Sequence, residues 1–220
     1  GGRMIDRRAL VLAAAGAGFA FGTRAAELLG DDGKPASTWR LPSEISLDPP
    51  GLIVAGGKSP DVIVTEFFDY NCPWCKKSAG DLDRLVQGDK DFSLRLIQNP
   101  VLSLGSVQAA KVALAVRALA GNETAYRFHR ALLARRGQVT GQEALAEATA
   151  LKLDRKAVED KADSEDLIQQ LRRHGAISRA LAMDATPSFA VNGMGIAGWP
   201  GAGTMQRVVK NVRACDAIAC

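Results

Sequence analysis

Two cysteines stand three positions apart in the stretch VIVTEFFDYNCPWCKKSAGDLDRLV, residues 62–86. A Cys-x-x-Cys pair can be a redox-active dithiol, half of a metal site or a structural disulfide. If Cys72 caps the N-terminus of a helix, Pro73 occupies the first helical position, where its missing N–H costs nothing. The Cys72 thiol then lies near unpaired backbone N–H groups and the positive end of the helix dipole, which favour the thiolate. Since Cys75 lies one turn further on the same face, we expect Cys72 to react with substrate and Cys75 to resolve the product.

Glu66 is an acidic residue inside an otherwise apolar segment, where burial of a charge is costly. It could face solvent at the edge of a strand. Alternatively, it could lie beneath the cysteine pair, six residues before Cys72. In the second position desolvation would raise its pKa, and its carboxylate could take a proton from Cys75.

Three blocks of predicted elements position these residues. Continuous apolar character over 61–68, a helix that ends near Gln87 and a strand over 92–98 form a βαβ unit. The pattern over 106–182 predicts helices throughout. Two strands separated by an Asn-Gly turn and a final helix over 204–214 follow. We therefore predict an α/β protein with a thioredoxin fold that carries an inserted all-helical domain.

These blocks divide the chain into segments. The predicted thioredoxin-like domain comprises residues 51–104 and 183–214, and the helical insertion comprises 105–182. Residues 23–50 are rich in Gly, Pro and Asp, which predicts an irregular N-terminal linker. Residues 215–220 are predicted to be a C-terminal tail.

The first 22 residues have the pattern of an export leader. Arg7 and Arg8 precede a stretch of small and apolar residues, and Ala20-Phe21-Gly22 has the small–x–small spacing of a cleavage site. The paired arginines suggest the twin-arginine route, so we expect a periplasmic protein. Removal of residues 1–22 takes three arginines and one aspartate with it, which lowers the net charge from +4 to +2. A net charge this close to zero does not favour binding to nucleic acid.

Export also changes the expectation for the four cysteines. Disulfides persist outside the cytosol, so the cysteines can form two bridges. If cysteines that are close in the sequence pair with each other, Cys72 bonds to Cys75 and Cys215 bonds to Cys220. We expect the second pair to be structural.

Two segments resemble the DsbA-like thiol:disulfide oxidoreductases of the thioredoxin superfamily. EFFDYNCPWCKK is similar to the active-site segment of that family, and DATPSFAVNG is similar to its second signature, a threonine followed by a cis-proline. The resemblance covers roughly residues 50–212. It implies that Cys72 is the exposed nucleophile, Cys75 the resolving cysteine and Glu66 the buried acid. The residues that it assigns to substrate binding are Pro73, Trp74, Thr186 and Pro187.

The resemblance also implies a function. It implies an enzyme that needs no metal or organic cofactor, introduces disulfides into reduced exported proteins and is reoxidised by a membrane quinone-linked thiol oxidase. We expect a monomer, because residues 23–50 contain four prolines and no heptads for association. Three alternatives remain open: a disulfide isomerase or reductase of the same family, a peptide-holding chaperone, and a zinc-binding module in which all four cysteines bind the metal.

Overall fold

The computed structural model describes residues 26–220, so the predicted leader at 1–22 lies outside the described residues. The strands are β1 (Thr38–Arg40), β2 (Ile53–Gly56), β3 (Val62–Phe68), β4 (Phe92–Gln98), β5 (Ser188–Val191) and β6 (Met194–Ala197). The helices are α1 (Pro73–Gly88), α2 (Leu104–Ala134), α3 (Gly141–Ala150), α4 (Arg155–Ala162), α5 (Glu165–Ala180) and α6 (Ala202–Cys215). No helix within this part of the chain combines the length and the apolarity needed to cross a membrane.

The six strands form one mixed sheet in the order β1-β6-β5-β3-β4-β2. Strands β3 and β4 are parallel and joined by α1, whereas the other neighbours are antiparallel. Helices α2 to α5 follow one another between β4 and β5. This is the predicted thioredoxin fold with a helical insertion.

Strand β3 is covered on both faces, which explains its nearly continuous apolar sequence. Val64 and Phe68 point into the larger core cluster, which also contains residues of α1, α2 and α6. Phe67 points to the opposite face and packs with Ile97 and Leu181. Since side chains alternate along a strand, Glu66 shares the face of Val64 and Phe68, under α1.

The segment 23–50 was expected to be an irregular linker, and this expectation was incomplete. Its residues Thr38–Arg40 form an edge strand that pairs with β6. Trp39 packs so closely over Gly195 that a Cβ there would lie 2.4 Å from the indole. The indole N–H of Trp39 also donates to the carbonyl of Leu181 at 3.0 Å. Three residues are too few to show strand alternation in a sequence, so this strand had no local signal.

Helix α2 contains a break at Gly121, where φ is +79°. Glycine tolerates this left-handed conformation without steric cost. Beyond the break, α2 ends at Ala134, near α1.

Candidate active site

The loop between β3 and α1 holds Cys72 at the start of the helix. Cys72 is the N-cap residue of α1, and Pro73 follows at the first helical turn. The Cys72 N–H donates to the Asp69 carbonyl at 3.0 Å. The buried Asp69 carboxylate accepts from the N–H of Asn71 at 2.7 Å and from that of Leu102 at 3.0 Å. Asp69 thereby fixes the turn that presents Cys72, a role that the sequence reasoning missed although Asp three residues before a helix cap is a known turn former.

The two thiols of the pair, both free in this structure, have opposite ionisation properties. The Cys75 thiol, the side chain of Thr186 and the backbone N–H groups of Cys75 and Trp74 lower the pKa of Cys72 to about 5, against the effect of burial. Burial, the hydrogen bond with Cys72 and the charge of Glu66 raise the pKa of Cys75. Near neutral pH, therefore, Cys72 is the thiolate of the pair and Cys75 keeps its proton.

Cys72 is less accessible than the sequence predicted. We expected an exposed nucleophile, but only 4% of the residue is exposed, compared with 0% of Cys75. The reason is the loop before β5: the Cys72 sulfur lies 3.1 Å from the carbonyl oxygen of Thr186, to which only its protonated form can donate. Trp74, between the two cysteines, is 53% exposed and marks the accessible side of the pair.

Glu66 lies buried beneath α1 and not at a solvent-facing strand edge. It is 1% exposed. Burial, opposed by a hydrogen bond from Ser78 and assisted by the charge of Cys72, raises the pKa of Glu66 to about 8. The Ser78 hydroxyl lies 3.4 Å from the Glu66 carboxylate and 3.1 Å from the Cys75 carbonyl. Ser78 therefore lies between the Glu66 carboxylate and Cys75, and its place three residues after Cys75 was the sequence signal that the prediction did not use.

The Thr186–Pro187 peptide bond is cis, as the resemblance implied. It precedes β5, whose Phe189 pairs with Glu66 on β3, so the loop lies at the end of the sheet where α1 begins. Thr186 is half-buried and Pro187 is buried, whereas Pro73 is exposed with Trp74. The structure thus brings the four predicted substrate-binding residues to one end of the sheet, but Pro187 presents little surface to solvent.

Two further residues, Asn71 and Lys76, connect the start of α1 to the insertion by hydrogen bonds. The Asn71 side chain accepts from the Val139 N–H at 2.7 Å and donates to the Val139 carbonyl at 2.8 Å. Lys76 donates to the carbonyls of Arg135 at 3.1 Å and Gly137 at 2.6 Å. Because these partners are about sixty residues away along the chain, no local pattern could have predicted either contact.

The other two cysteines, Cys215 and Cys220, form a disulfide at the end of α6. They are therefore not available as thiolate ligands to join the Cys72 pair in a zinc site. Within residues 26–220 no three His, Cys, Asp or Glu side chains are grouped to hold a metal ion.

Comparison with known proteins identifies the domain. Residues 63–213, more than half of the chain, match the family model of the DSBA-like thioredoxin domain. A comparison with curated proteins finds no match. A thioredoxin-like oxidoreductase from Silicibacter pomeroyi DSS-3 is 30% identical, with 76% of this chain and 94% of that chain covered and a TM-score of 0.69.

Two more distant structures share the fold. The thiol-disulfide exchange protein alpha-DsbA2 from Wolbachia pipientis is 24% identical, with 73% of this chain and 86% of that chain covered and a TM-score of 0.67. BdbD from Bacillus subtilis, in its oxidised form, is 21% identical, with 81% and 98% covered and a TM-score of 0.67. At these identities the two structures are evidence for the fold alone.

Proposed function

The chain belongs to the DSBA-like thioredoxin domain family, and from this premise we propose that it is an exported dithiol oxidase that introduces disulfides into reduced polypeptides. The general class, a thiol:disulfide oxidoreductase, follows from the family. The direction of the reaction is our proposal, and the difference between the two thiols carries it. Because surrounding groups lower the pKa of Cys72 to about 5, the reduced enzyme is stabilised as a thiolate. A protein whose reduced form is stabilised in this way is a good oxidant.

The reaction proceeds in two exchanges. A substrate thiolate attacks the Cys72 sulfur of the Cys72–Cys75 disulfide, so a bond forms between substrate and Cys72 and the bond to Cys75 breaks. Cys75 leaves as a thiolate of high proton affinity. Glu66, which is protonated below its pKa of about 8, supplies the proton.

In the second exchange another substrate thiolate attacks the substrate sulfur of the mixed disulfide. Cys72 leaves as a thiolate, and its low pKa makes it a good leaving group. The substrate has then lost two electrons and two protons. The enzyme has gained both electrons and holds on Cys75 the proton that Glu66 supplied. One of the two substrate protons replaces it on Glu66, and the other goes to solvent.

The cellular setting is part of the same proposal. The leader pattern at 1–22 supports export to the periplasm. We propose reduced exported proteins as substrates, a membrane quinone-linked thiol oxidase as the reoxidant, and a monomeric enzyme. Thr186 and Trp74 would contact the substrate chain, with the backbone of the cis-proline loop pairing with an extended segment.

Serine variants of the cysteines test the proposal. Cys72→Ser should abolish oxidation of a reduced unfolded protein, and Cys75→Ser should accumulate mixed disulfides with it. The double variant Cys215→Ser/Cys220→Ser is the matched control, because it removes the other cysteine pair, and it should oxidise at the wild-type rate. A Cys72→Ser protein that oxidises at the wild-type rate would refute the assignment.

The equilibrium constant with glutathione tests the direction. A strongly oxidising value supports disulfide donation. A strongly reducing value, like that of thioredoxin, would contradict it in favour of a reductase or isomerase of the same family.

A further inference from the structure

Residues 215–220, here called the tail, form a short loop that is held against α6 and the domain by contacts that do not involve its sulfur atoms. Ile218 is 7% exposed and belongs to the larger core cluster. Its carbonyl accepts from the side-chain amide of Asn211 at 3.1 Å, and the carbonyl of Asp216 accepts from that of Asn192 at 2.8 Å. Because the folded chain already fixes most of this loop, closing its disulfide costs little additional order.

The two tail cysteines are both exposed, but their surroundings differ. Cys215 is the last residue of α6, and its sulfur lies 3.1 Å from the carbonyl oxygen of Asn211 in that helix. Carbonyl groups at a helix C-terminus carry the negative end of the dipole, so they disfavour a thiolate at Cys215. Cys220 lies beyond the helix.

The tail and the active site therefore lie at opposite kinds of helix terminus. Cys72 begins α1, where the N–H groups of the first turn favour a thiolate, whereas Cys215 ends α6. The reduced active site thus gains a stabilised thiolate that the reduced tail lacks at Cys215. Electrons should consequently pass from the tail dithiol to the active-site disulfide, and not in the reverse direction.

Within one chain, the tail and the active site are too far apart to react. The Arg213 guanidinium, two residues before Cys215, donates to the Asp89 carboxylate at 2.7 Å, and Asp89 is the C-cap residue of α1. Cys72 is at the other end of this helix of 16 residues, about 24 Å away. A thiolate must come within bonding distance of the disulfide that it attacks. Exchange between the two pairs therefore requires the active site of a second copy.

We propose that the Cys72–Cys75 disulfide of one copy of this protein oxidises the reduced tail of another, so the protein forms its own Cys215–Cys220 disulfide between molecules. Cys220 is the attacking thiol and Cys215 the resolving one, since Cys215 is the cysteine placed against the helix carbonyls. This inference rests on the proposed function and deepens it, because it names a second copy of this chain as a substrate.

The exchange balances in two steps. The Cys220 thiolate attacks the Cys72 sulfur of the other copy, so a bond between the copies forms and the Cys72–Cys75 bond breaks. Cys75 leaves as a thiolate and takes the proton of Glu66. Cys215 then loses its proton and attacks the Cys220 sulfur, and Cys72 leaves as a stable thiolate. The tail has lost two electrons and two protons. The other copy has gained the electrons, one proton returns to Glu66 and one goes to solvent.

Two variants with complementary cysteine pairs test the exchange. The oxidant chain, Cys215→Ser/Cys220→Ser, carries only the active-site disulfide. The reporter chain, Cys72→Ser/Cys75→Ser, carries only a reduced tail, and Cys72→Ala/Cys75→Ala is a second reporter. Equal amounts of oxidant and reporter are mixed without any other oxidant, and alkylation followed by mass spectrometry counts the thiols on each chain.

We expect the tail disulfide in nearly all reporter chains, with an exchange constant of about 100 or more. The initial rate should be proportional to the concentration of the oxidant chain. The matched control is the same oxidant chain in its reduced form, which should leave the tail thiols unchanged.

A second experiment tests the roles of the two tail cysteines. A chain whose only cysteine is Cys72 is activated with Ellman's reagent, which forms a mixed disulfide with that residue. Reporters that keep either Cys220 or Cys215 alone then displace the coloured thiolate. The Cys220 reporter should react about tenfold faster, because its thiolate forms away from the helix carbonyls. A faster reaction of the Cys215 reporter would overturn the assigned roles.

The outcomes separate this inference from the proposed function. An oxidant chain that oxidises a reduced unfolded protein but leaves the tail thiols of both reporters free would overturn the inference alone. So would an exchange constant below one, because the tail would then be the stronger oxidant of the two pairs. An oxidant chain that oxidises neither the unfolded protein nor the tail would overturn the proposed function and the inference together.

Discussion

Cys72 and Cys75 are the same residue type, and their different surroundings determine their different chemistry. Cys72 occupies the N-cap position, where backbone N–H groups of the first helical turn stabilise a negative charge. Cys75 is fully buried one turn later, near the carboxyl group of Glu66, and both conditions disfavour its thiolate. A pair with one stable and one unstable thiolate can form a mixed disulfide with a substrate at one sulfur. The other sulfur can then attack this mixed disulfide and free the substrate.

The ionisation of Cys72 gives the first prediction at the level of single residues. The rate of alkylation of Cys72 should follow a titration with a midpoint of about 5, against an ordinary value of 9.0. The interaction with the Cys75 thiol is the largest cause, so Cys75→Ala should raise the midpoint. Cys75→Ser keeps a donor at the same position and should raise it less. An alkylation midpoint near the ordinary thiol value in the wild-type protein would contradict this account.

Glu66 gives the second prediction, which concerns stability that is lost as the pH rises. Burial raises the pKa of Glu66 from 4.5 to about 8, so the folded protein binds its proton more tightly than the unfolded chain does. Its contribution to stability is therefore complete below the unfolded value and is lost as the pH rises through about 8. The oxidised protein lacks the Cys72 charge, the smallest of the three effects on this pKa, and retains the burial. Its free energy of unfolding should therefore still fall, by on the order of 2 kcal/mol, as the pH rises from about 5 to about 8.

Glu66→Gln should remove this loss, as measured by denaturant unfolding across that pH range. Glu123→Gln, at an exposed position on α2, is the control and should keep the wild-type pH dependence. If the oxidised wild-type and Glu66→Gln proteins show parallel pH profiles, Glu66 does not titrate in the expected range.

At the scale of elements, two asparagine side chains, Asn71 and Asn122, each pair with both the N–H and the carbonyl of one residue in another part of the fold. Asn71 pairs with the backbone of Val139, which fixes the active-site loop against the connection between α2 and α3. Asn122 pairs in the same way with the backbone of Val54, which fixes the break in α2 against β2. The insertion is thus attached to the sheet at the active site and at a second position away from it.

These two bridges provide a matched pair of variants. Asn71→Ala and Asn122→Ala should each destabilise the protein by about 1–3 kcal/mol, because each leaves a buried or partly buried backbone N–H and carbonyl without its partner. Only Asn71→Ala should alter the alkylation rate of Cys72, since only Asn71 adjoins the active-site loop. Hydrogen exchange at Val139 should rise in that variant alone. Equal changes of Cys72 reactivity in both variants would mean that Asn71 acts through global stability.

The elements differ in how far the sequence alone could predict them. The β3–α1–β4 unit and the Asn192-Gly193 turn depend on local patterns, and both were predicted; the two turn residues adopt φ values of +48° and +71°. The edge strand β1 and the Asn71 bridge depend on partners far away along the chain. The burial of Cys72 was missed for the same reason, because the Thr186 loop that covers it is 114 residues away. Local pattern thus predicted a cysteine pair at the start of a helix that follows a buried strand, and long-range packing determined its environment.

For the whole molecule, the redox state of one pair of cysteines is linked to folding. The reduced protein contains the Cys72 thiolate, which the folded structure stabilises and the unfolded chain does not. The oxidised protein has no such group to titrate, although it shares the Glu66 carboxyl and the Cys215–Cys220 disulfide with the reduced form. A comparison of the two redox states therefore reports the ionisation of the two thiols together with the effect of the Cys72 charge on Glu66, and a variant without the Cys72 thiol separates its part.

The difference in unfolding free energy between the reduced and oxidised proteins should consequently depend on pH. Because folding lowers the pKa of Cys72 from 9.0 to about 5, its contribution is fully present above about pH 9 and is lost as the pH falls through about 5. The reduced protein should gain stability relative to the oxidised one as the pH rises across this interval. Denaturant unfolding of both states at several pH values measures the gain, and Cys72→Ser, studied under reducing conditions, should lack it. If instead the difference stays constant from about pH 5 to about pH 9, folding does not stabilise the Cys72 thiolate, and the oxidised enzyme has no such driving force for donating its disulfide.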